Sequence, residues 1–380
     1  MKVLVAFDSF KGSLSCVEAT GAVAQGLGRV LPESTILQIP LADGGEGTLE
    51  AVRACQGGQI RTSRITGPLG RPVKGEWLLL KGGATAIIEL AQAAGLTLVA
   101  DDERDPAHAT TYGVGELMGH AIDSGCSRIV LTVGGSATMD GGAGLLQALG
   151  ARLLNRQGEP IAPGGVGLEE LGHVDIAPLK RRLGAVELLV ACDVDNPLCG
   201  PRGASMVFGP QKGADAALCQ RLDVALDHYA ECLARDVGVD PRQVPRAGAA
   251  GGTAGGLLAA AGARLVSGAD LILEMVGFQQ AVDDCQLIIT GEGRVDGQTL
   301  DGKIISSVAR AAWGKPLIVL AGQLAPGSEG LYDRGVSAML SIVDGPMSLS
   351  MAMADAESLL VKAAERCGRF LALGRKLPRE

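Results

Sequence analysis

The sequence is short of aromatic residues and of positive charge. Phe, Trp and Tyr supply 3% of its 380 residues, so the core must be built from Ala, Leu, Val and Ile. Its 34 Lys and Arg are outnumbered by 42 Asp and Glu and are scattered along the chain. Nucleic acid is therefore not expected as a partner, because neutralising phosphates needs a basic face. The four histidines, His108, His120, His173 and His228, lie far apart without metal-ligand spacing, and no H-E-x-x-H occurs. Nine cysteines are dispersed and odd in number; none forms a CxxC, and only Cys192 and Cys199 are close. That pattern argues against zinc and disulfides and fits reduced thiols in the cytoplasm. No long charge-free apolar run is available for a membrane helix, and the first apolar run is too short for a signal peptide.

Standard catalytic signatures are missing as well. There is no G-x-S-x-G elbow. No lysine is followed by Ser or Thr, so a Walker A motif is absent. The stretches GVGELMG and GEGRVDG place their third glycine one residue too late for a dinucleotide fingerprint. Protein-kinase signatures are absent.

What the chain does have is 47% hydrophobic residues and 56 glycines, the composition of an α/β enzyme, and length enough for two domains. Val3–Phe7 is an unbroken apolar run, as expected of a strand covered on both faces. An apolar-periodic helix follows from Leu14 to Leu27, capped by Ser13 or Ser15 with Glu18 in its first turns. The strand Thr35–Pro40 and a helix from about Leu49 to Cys55 complete a βαβα opening, which argues for a parallel sheet with right-handed crossovers. From about Gly57 the texture turns to hairpin-like short runs. A helix over Val114–Asp123, strands at Arg128–Val133 and Val186–Ala191, and a helix from about Ala216 to Arg235 follow. The βα texture returns from Leu287, with strands Leu287–Thr290, Pro316–Ala321 and Ala338–Val343 and helices Ile304–Trp313 and Ala352–Ala372.

The expected fold class is therefore α/β with two domains. Residues 1–60 and 285–380 form a discontinuous, doubly wound, Rossmann-like parallel-sheet domain, and residues 61–284 a second α/β domain inserted into it. One internal echo stands out: GLLQALGA at 144–151 matches GLLAAAGA at 256–263. Two helices entered through glycine-rich loops, for close backbone approach and free amide N–H groups, account for it.

Five strands end in loops of one composition, combining Gly, Asp or Glu and often Lys, Arg or Ser. They are Asp8/Ser9/Lys11/Gly12, Asp43/Gly44/Gly45/Glu46/Gly47/Thr48, Gly134/Gly135/Ser136/Thr138/Asp140, Asp193/Asp195/Asn196 and Gly291/Glu292/Gly293/Arg294/Asp296/Lys303. Singly, each has a structural explanation: a turn at Asp43–Gly45, a cap at Thr48, tight helix packing at Gly134–Gly144, Asx turns at Asp195 and Asn196. A lone lysine such as Lys212 is ordinarily solvated surface, whereas the glycines around Lys11 and Lys303 favour function. Together the five loops suit a ligand site, since parallel α/β folds bind ligands beyond the carboxyl ends of strands. Glycine-rich helix entries bind anions, carboxylates hold Mg²⁺, and Lys and Arg neutralise a phosphoryl group.

Six stretches, AFDSFKGSLS, PLADGGEGT, GGSATMDGGAG, CDVDNPLCG, GAAGGTAGGL and TGEGRVDGQTLDGK, resemble in content and order the type 1 family of bacterial glycerate kinases. The resemblance implies ATP-dependent phosphorylation of D-glycerate, commonly at the 2-hydroxyl to give 2-phospho-D-glycerate. It also implies a role in feeding glyoxylate, glucarate or galactarate breakdown into glycolysis, and two α/β domains with the active site in the cleft between them.

Individual roles are expected from chemistry rather than from the family. Asp193 is the first choice for general base or Mg²⁺ ligand. Lys11, Asp43 and Asp296 complete the catalytic set, with Asp296 the second Mg²⁺ ligand. Ser9 and the Gly44–Thr48 turn, Glu46 included, are placed near anionic groups. Gly134, Gly135, Ser136 and Asp140 are placed near nucleotide phosphates or substrate. Gly291, Glu292, Gly293, Arg294 and Lys303 are placed near phosphate or the substrate carboxylate. Mg²⁺ and ATP are the expected cofactor and co-substrate; the expected partners are small molecules, not nucleic acid or membrane, with a homo-oligomer left open. The alternatives are a kinase for another small hydroxy acid or for the 3-hydroxyl of glycerate, and, from a different class, a non-catalytic sensor of sugar acids or phosphorylated metabolites.

Overall fold

The strand Lys2–Phe7 is paired in parallel on both sides. Thr35–Gln38 flanks it on one edge and Leu287–Gly291 on the other, with Val3 opposite Leu287 and Phe7 opposite Gly291. Val3 to Phe7 are fully buried, which is why the run has no polar alternation. Leu317–Ala321 and Ala338–Ser341 extend this five-stranded parallel sheet. The helix Cys16–Val30 starts at a capping box, in which Ser15 Oγ accepts the Glu18 N–H and Glu18 Oε2 accepts the Ser15 N–H. It packs on Ala356–Gly374 through Leu27, Leu360 and Ala364. At Gly26 a Cβ would stand 2.3 Å from the Val361 carbonyl oxygen, so only glycine lets these helices approach so closely. The final helix expected over 352–372 is two helices, Leu349–Ala354 and Ala356–Gly374, parted at Asp355.

A second sheet has six strands, in the order Arg264–Val266, Glu187–Ala191, Arg128–Thr132, Thr85–Glu89, Pro72–Leu79 and Gln59–Thr66. The first four are parallel, and the last two form the hairpin whose texture the sequence showed. Its core holds Trp77, Ile88, Leu131, Val190, Leu226 and Tyr229.

This computed structural model describes residues 1–300 and 304–376. The chain divides into two compact units. The first comprises Met1–Asp43, Glu50–Gly57 and the chain from Ala269 on; the second comprises Gly44–Leu49 and Gly58–Gly268. The later boundary falls at 268/269 instead of 284/285, because two unforeseen helices, Gly268–Met275 and Phe278–Asp284, group with the first unit up to the return strand. No described helix is long and apolar enough to cross a membrane.

Candidate active site

In the first unit the strand order reverses beside Lys2–Phe7: Thr35–Gln38 lies to one side of it and the three late strands to the other. Such a reversal opens a crevice beyond the carboxyl ends of the two strands involved. Asp8 follows one of them and Glu292 the other. Asp8 is 3% exposed. Its Oδ1 accepts the Ser9 N–H at 2.6 Å, and its own N–H donates to the Gly291 carbonyl at 3.1 Å. Burial, then the charge of Asp43, hold its carboxyl well above the usual range; Glu292 adds to the rise, while the Ser9 amide and Lys11 oppose it. Lys11 stands largely in solvent with Nζ 3.8 Å from Asp43 Oδ2.

The loops bearing these groups run side by side. A Cβ on Gly293 would lie 3.4 Å from Phe10 Cα, and Gly322 and Gln323 donate to the carbonyls of Glu292 and Gly293. Thr299 Oγ1 donates to Glu292 Oε1 at 3.3 Å. Arg294 pairs with Asp296 at 3.3 Å and is 64% exposed in its side chain. The crevice thus holds oxygen donors with surplus negative charge beside one lysine, a donor set that suits a hard divalent cation.

In the second unit three loops converge. Gly44 and Gly47 adopt left-handed φ of 84° and 92°, and Thr48 Oγ1 donates to the Gly45 carbonyl at 2.8 Å. A Cβ on Gly134 would lie 2.6 Å from Gly45 Cα, and one on Gly44 3.2 Å from Gly268 Cα. Asp193 Oδ1 accepts the Gly268 N–H at 2.8 Å and the Ser267 hydroxyl at 3.0 Å. Glu89, buried at the end of its strand, accepts the Leu49 N–H at 2.9 Å. Burial raises its pKa against that hydrogen bond.

Two buried ionisable side chains brace these loops. Asp140 is fully buried. Its Oδ2 accepts the Thr111 N–H and hydroxyl, each at 2.8 Å, and the Gly144 N–H at 3.3 Å; its Oδ1 accepts the Gly142 N–H at 3.1 Å. Burial raises this carboxyl although all four donors favour its charged form. Lys212, 2% exposed, donates to Ser136 Oγ at 2.7 Å and to the Thr138 carbonyl at 2.8 Å. Burial brings its pKa down to about 7, with Asp140 acting in the opposite sense.

The structure corrects several expectations. Lys212 is core, not solvated surface. Ser136 and Asp140 are buried and serve Lys212 and Thr111, so they brace the loop from within instead of facing a ligand. Thr48 closes its own turn. Gly291 is a packing glycine, since a Cβ there would meet the Leu320 carbonyl oxygen at 1.8 Å. The echoed glycine loops do approach closely: Gly141, Gly142, Gly251 and Gly252 are all left-handed, and the Gly141 N–H donates to the Gly251 carbonyl at 3.0 Å. The amides of Gly142 and Gly144 are not free, because Asp140 holds them.

Ser9, Lys11, Asp43, Glu292, Gly293, Arg294 and Asp296 belong to the first unit; Gly44–Thr48, Gly134, Gly135 and Asp193 belong to the second. Lys303 lies outside the described residues. Asp193 and Asp296 fall in different units, and among the described residues no group of three or more acids, histidines or cysteines is set to hold a metal. The sequence reading gave Asp8 a place in a candidate loop but no role, took Lys212 for surface, and did not single out Glu89. Glu89 carried a signal, an acid inside the apolar run AIIEL; Lys212, in GPQKGA, carried none.

Comparison with known proteins completes the description. The sequence profile of the Glycerate kinase family matches residues 3–372. The glycerate kinase of Bacillus subtilis strain 168 is 45% identical over 379 residues, covering 99% of this chain and 98% of that protein. The glycerate 2-kinase of Escherichia coli K12 is 42% identical over 376 residues, covering 98% of this chain and 99% of that protein. A crystal structure from Salmonella typhimurium LT2, provisionally named glycerate kinase 2, superposes with a TM-score of 0.88 at 43% identity, covering 99% of this chain and all of that one.

Proposed function

The chain belongs to the glycerate kinase family, and on that premise we propose that it transfers the γ-phosphoryl group of ATP to the 2-hydroxyl of D-glycerate. The observation that carries the reading furthest is the acidic crevice at the strand-order reversal, where Asp8, Asp43 and Glu292 share one region with Lys11. A sensor of small acids would have no use for clustered carboxylates that repel both one another and an anionic ligand. They suit an ion-bridged polyphosphate instead: the described acids form no three-carboxylate metal cage, but Mg²⁺ needs only one or two carboxylates beside the phosphates, and Asp8, Asp43 or Glu292 would supply them. Bound there, Mg²⁺ would offset the charge of the phosphate oxygens.

Lys11 and Arg294, both exposed, supply positive charge for the phosphates. Asp296 orients Arg294. The glycine turns Gly44–Gly47 and Gly134–Gly135 let an anionic group approach the backbone without meeting a side chain. Asp193 is the general base, its carboxylate oriented by Ser267 and Gly268. As the 2-hydroxyl oxygen bonds to the γ-phosphorus, its proton passes to Asp193. The bond from that phosphorus to the bridging oxygen breaks, and the electron pair leaves with ADP.

Phosphorus NMR of a reaction containing D-glycerate, ATP and Mg²⁺ tests the reading. 2-Phosphoglycerate and ADP are expected, and EDTA should stop their formation. A 3-phosphoglycerate product would move the acceptor to the neighbouring hydroxyl. ATP turnover with no phosphoglycerate from either enantiomer would sink the kinase assignment.

A further inference from the structure

Loop 244–252 of the second unit enters none of the roles above. Its Arg246 has φ +74° and Ala250 φ +52°, the only left-handed backbones outside glycine among the described residues. A side chain bearing a Cβ is uncommon there, and such strain persists only where the surroundings impose it. Here they do. The Gly248 N–H donates to the Asn196 carbonyl at 3.0 Å, and a Cβ on Gly248 would stand 2.2 Å from the Pro197 carbonyl oxygen. The loop is thus clamped to the segment that follows the strand Glu187–Ala191.

The strain sets one side chain. The Arg246 side chain is 30% exposed, and its Nε donates to Asp195 Oδ1 at 3.3 Å. Asp195 is its sole ion-pair partner among the described residues, so the terminal nitrogens keep their donors for another acceptor. Both residues line an open hollow of about 530 Å³, with Val244, Pro245, Leu258 and Leu265 among its apolar walls. Arg264, the other arginine there, is paired to Glu187 at 3.2 Å.

We propose that Arg246 is the residue that binds the carboxylate of the substrate and so selects hydroxy acids over neutral polyols. The inference rests on the glycerate kinase reading. A guanidinium fork anchored through Nε still presents the paired donors that a carboxylate accepts. Asp195, which holds the fork, lies two residues from Asp193, at most about 7 Å along the chain. A three-carbon hydroxy acid gripped at its carboxylate by Arg246 therefore places its hydroxyls within reach of the general base.

The test is Arg246→Gly, because glycine favours the left-handed backbone that arginine occupies under strain. The variant should keep or raise its melting temperature. Its KM for D-glycerate should rise on the order of 10²-fold, as for a charge pair that loses one partner, while its KM for ATP stays within about twofold on the same grounds. Its preference for glycerate over glycerol should shrink by a similar factor. Arg246→Lys, which keeps the charge but loses the fork, should fall between the two.

Unchanged glycerate KM in Arg246→Gly would overturn the proposal. So would a variant that loses stability and activity together while Arg246→Lys behaves as wild type, because that marks a structural arginine. Calorimetric titration of D-glycerate into nucleotide-free protein reads the same contact without turnover. If wild type binds glycerate and the variant does not, yet neither makes phosphoglycerate, the kinase reading fails and the carboxylate site stands. Equal binding by both proteins overturns the site itself.

Discussion

Replacing Lys212 by Met tests whether a charged amine is held in the core beneath the 134–140 loop. Burial brings the amine from its ordinary 10.5 to about 7. A depression of that size means the fold disfavours the ammonium form by on the order of 5 kcal/mol. The folded value lies below the unfolded one. Between them the unfolded chain keeps a proton that the folded protein has released, so stability rises with pH, by at most about 1.4 kcal/mol per pH unit. Below about 7 both states are protonated and the full penalty applies. Methionine has no such group, so the stability of wild type relative to Lys212→Met should increase by about 2–3 kcal/mol between pH 6.5 and 9. Superposed on this is a cost independent of pH, roughly 1–3 kcal/mol, for leaving the Thr138 carbonyl without its donor. Denaturant unfolding followed by the fluorescence of Trp77, buried in the same unit, measures both. Stability curves that run parallel across that range would refute the argument, because the amine would then titrate alike in both states.

Three further outcomes are expected. Asp193→Asn keeps the hydrogen bonds from Ser267 and Gly268 but removes the base, so kcat should fall on the order of 10²–10⁴-fold with the melting curve unchanged; wild-type kinetics would reduce Asp193 to a turn former. Asp8→Asn removes a buried ionisable carboxyl from beside Asp43 and Glu292. Without metal at pH 7 it should melt above wild type while kcat drops at least about 10²-fold, and a lower melting temperature would mean that the fold, not the chemistry, needs the carboxylate. Gly134→Ala would force a Cβ to 2.6 Å from Gly45 Cα, so it should cost about 1–3 kcal/mol of stability and raise the KM of at least one substrate; full activity at wild-type stability would show that the two loops can part without consequence.

Elements with strong periodicity were legible in the sequence. Val3–Phe7 and Leu287–Gly291 could be assigned to one domain because the first is apolar throughout, the second opens on Leu287, Ile288 and Ile289, and both lead into acid and glycine. The acid- and glycine-rich stretches that were expected at strand ends do follow strands in both units, as at Asp8, Gly134, Asp193 and Glu292. Assigning residues within those loops was harder, because composition does not say which way a side chain points. Ser136 and Asp140 read like ligands of a phosphate, yet only the fold shows them turned inward toward Lys212 and Thr111. Lys212 was misread for the complementary reason: a lysine between polar and glycine residues has the sequence context of a surface, and its burial is decided by a loop 74 residues away. The helices over 268–284 were missed because their apolar stretches are short and are broken by left-handed Gly277.

The pairing of the first strand with a late one has a consequence for biosynthesis. The hydroxyl of Thr290 donates to the carbonyl of Ala6 across 284 residues of chain. At about 5–20 residues per second, the ribosome needs roughly 15–60 seconds to deliver that partner. Throughout that interval the apolar run Val3–Phe7 has at most Thr35–Gln38 beside it, and its other edge is open to any strand it meets. The second unit, whose strands lie between residues 59 and 266, can close meanwhile. The unit that starts first is therefore completed last, and the nascent chain should be most in need of a chaperone just before residue 291 leaves the exit tunnel.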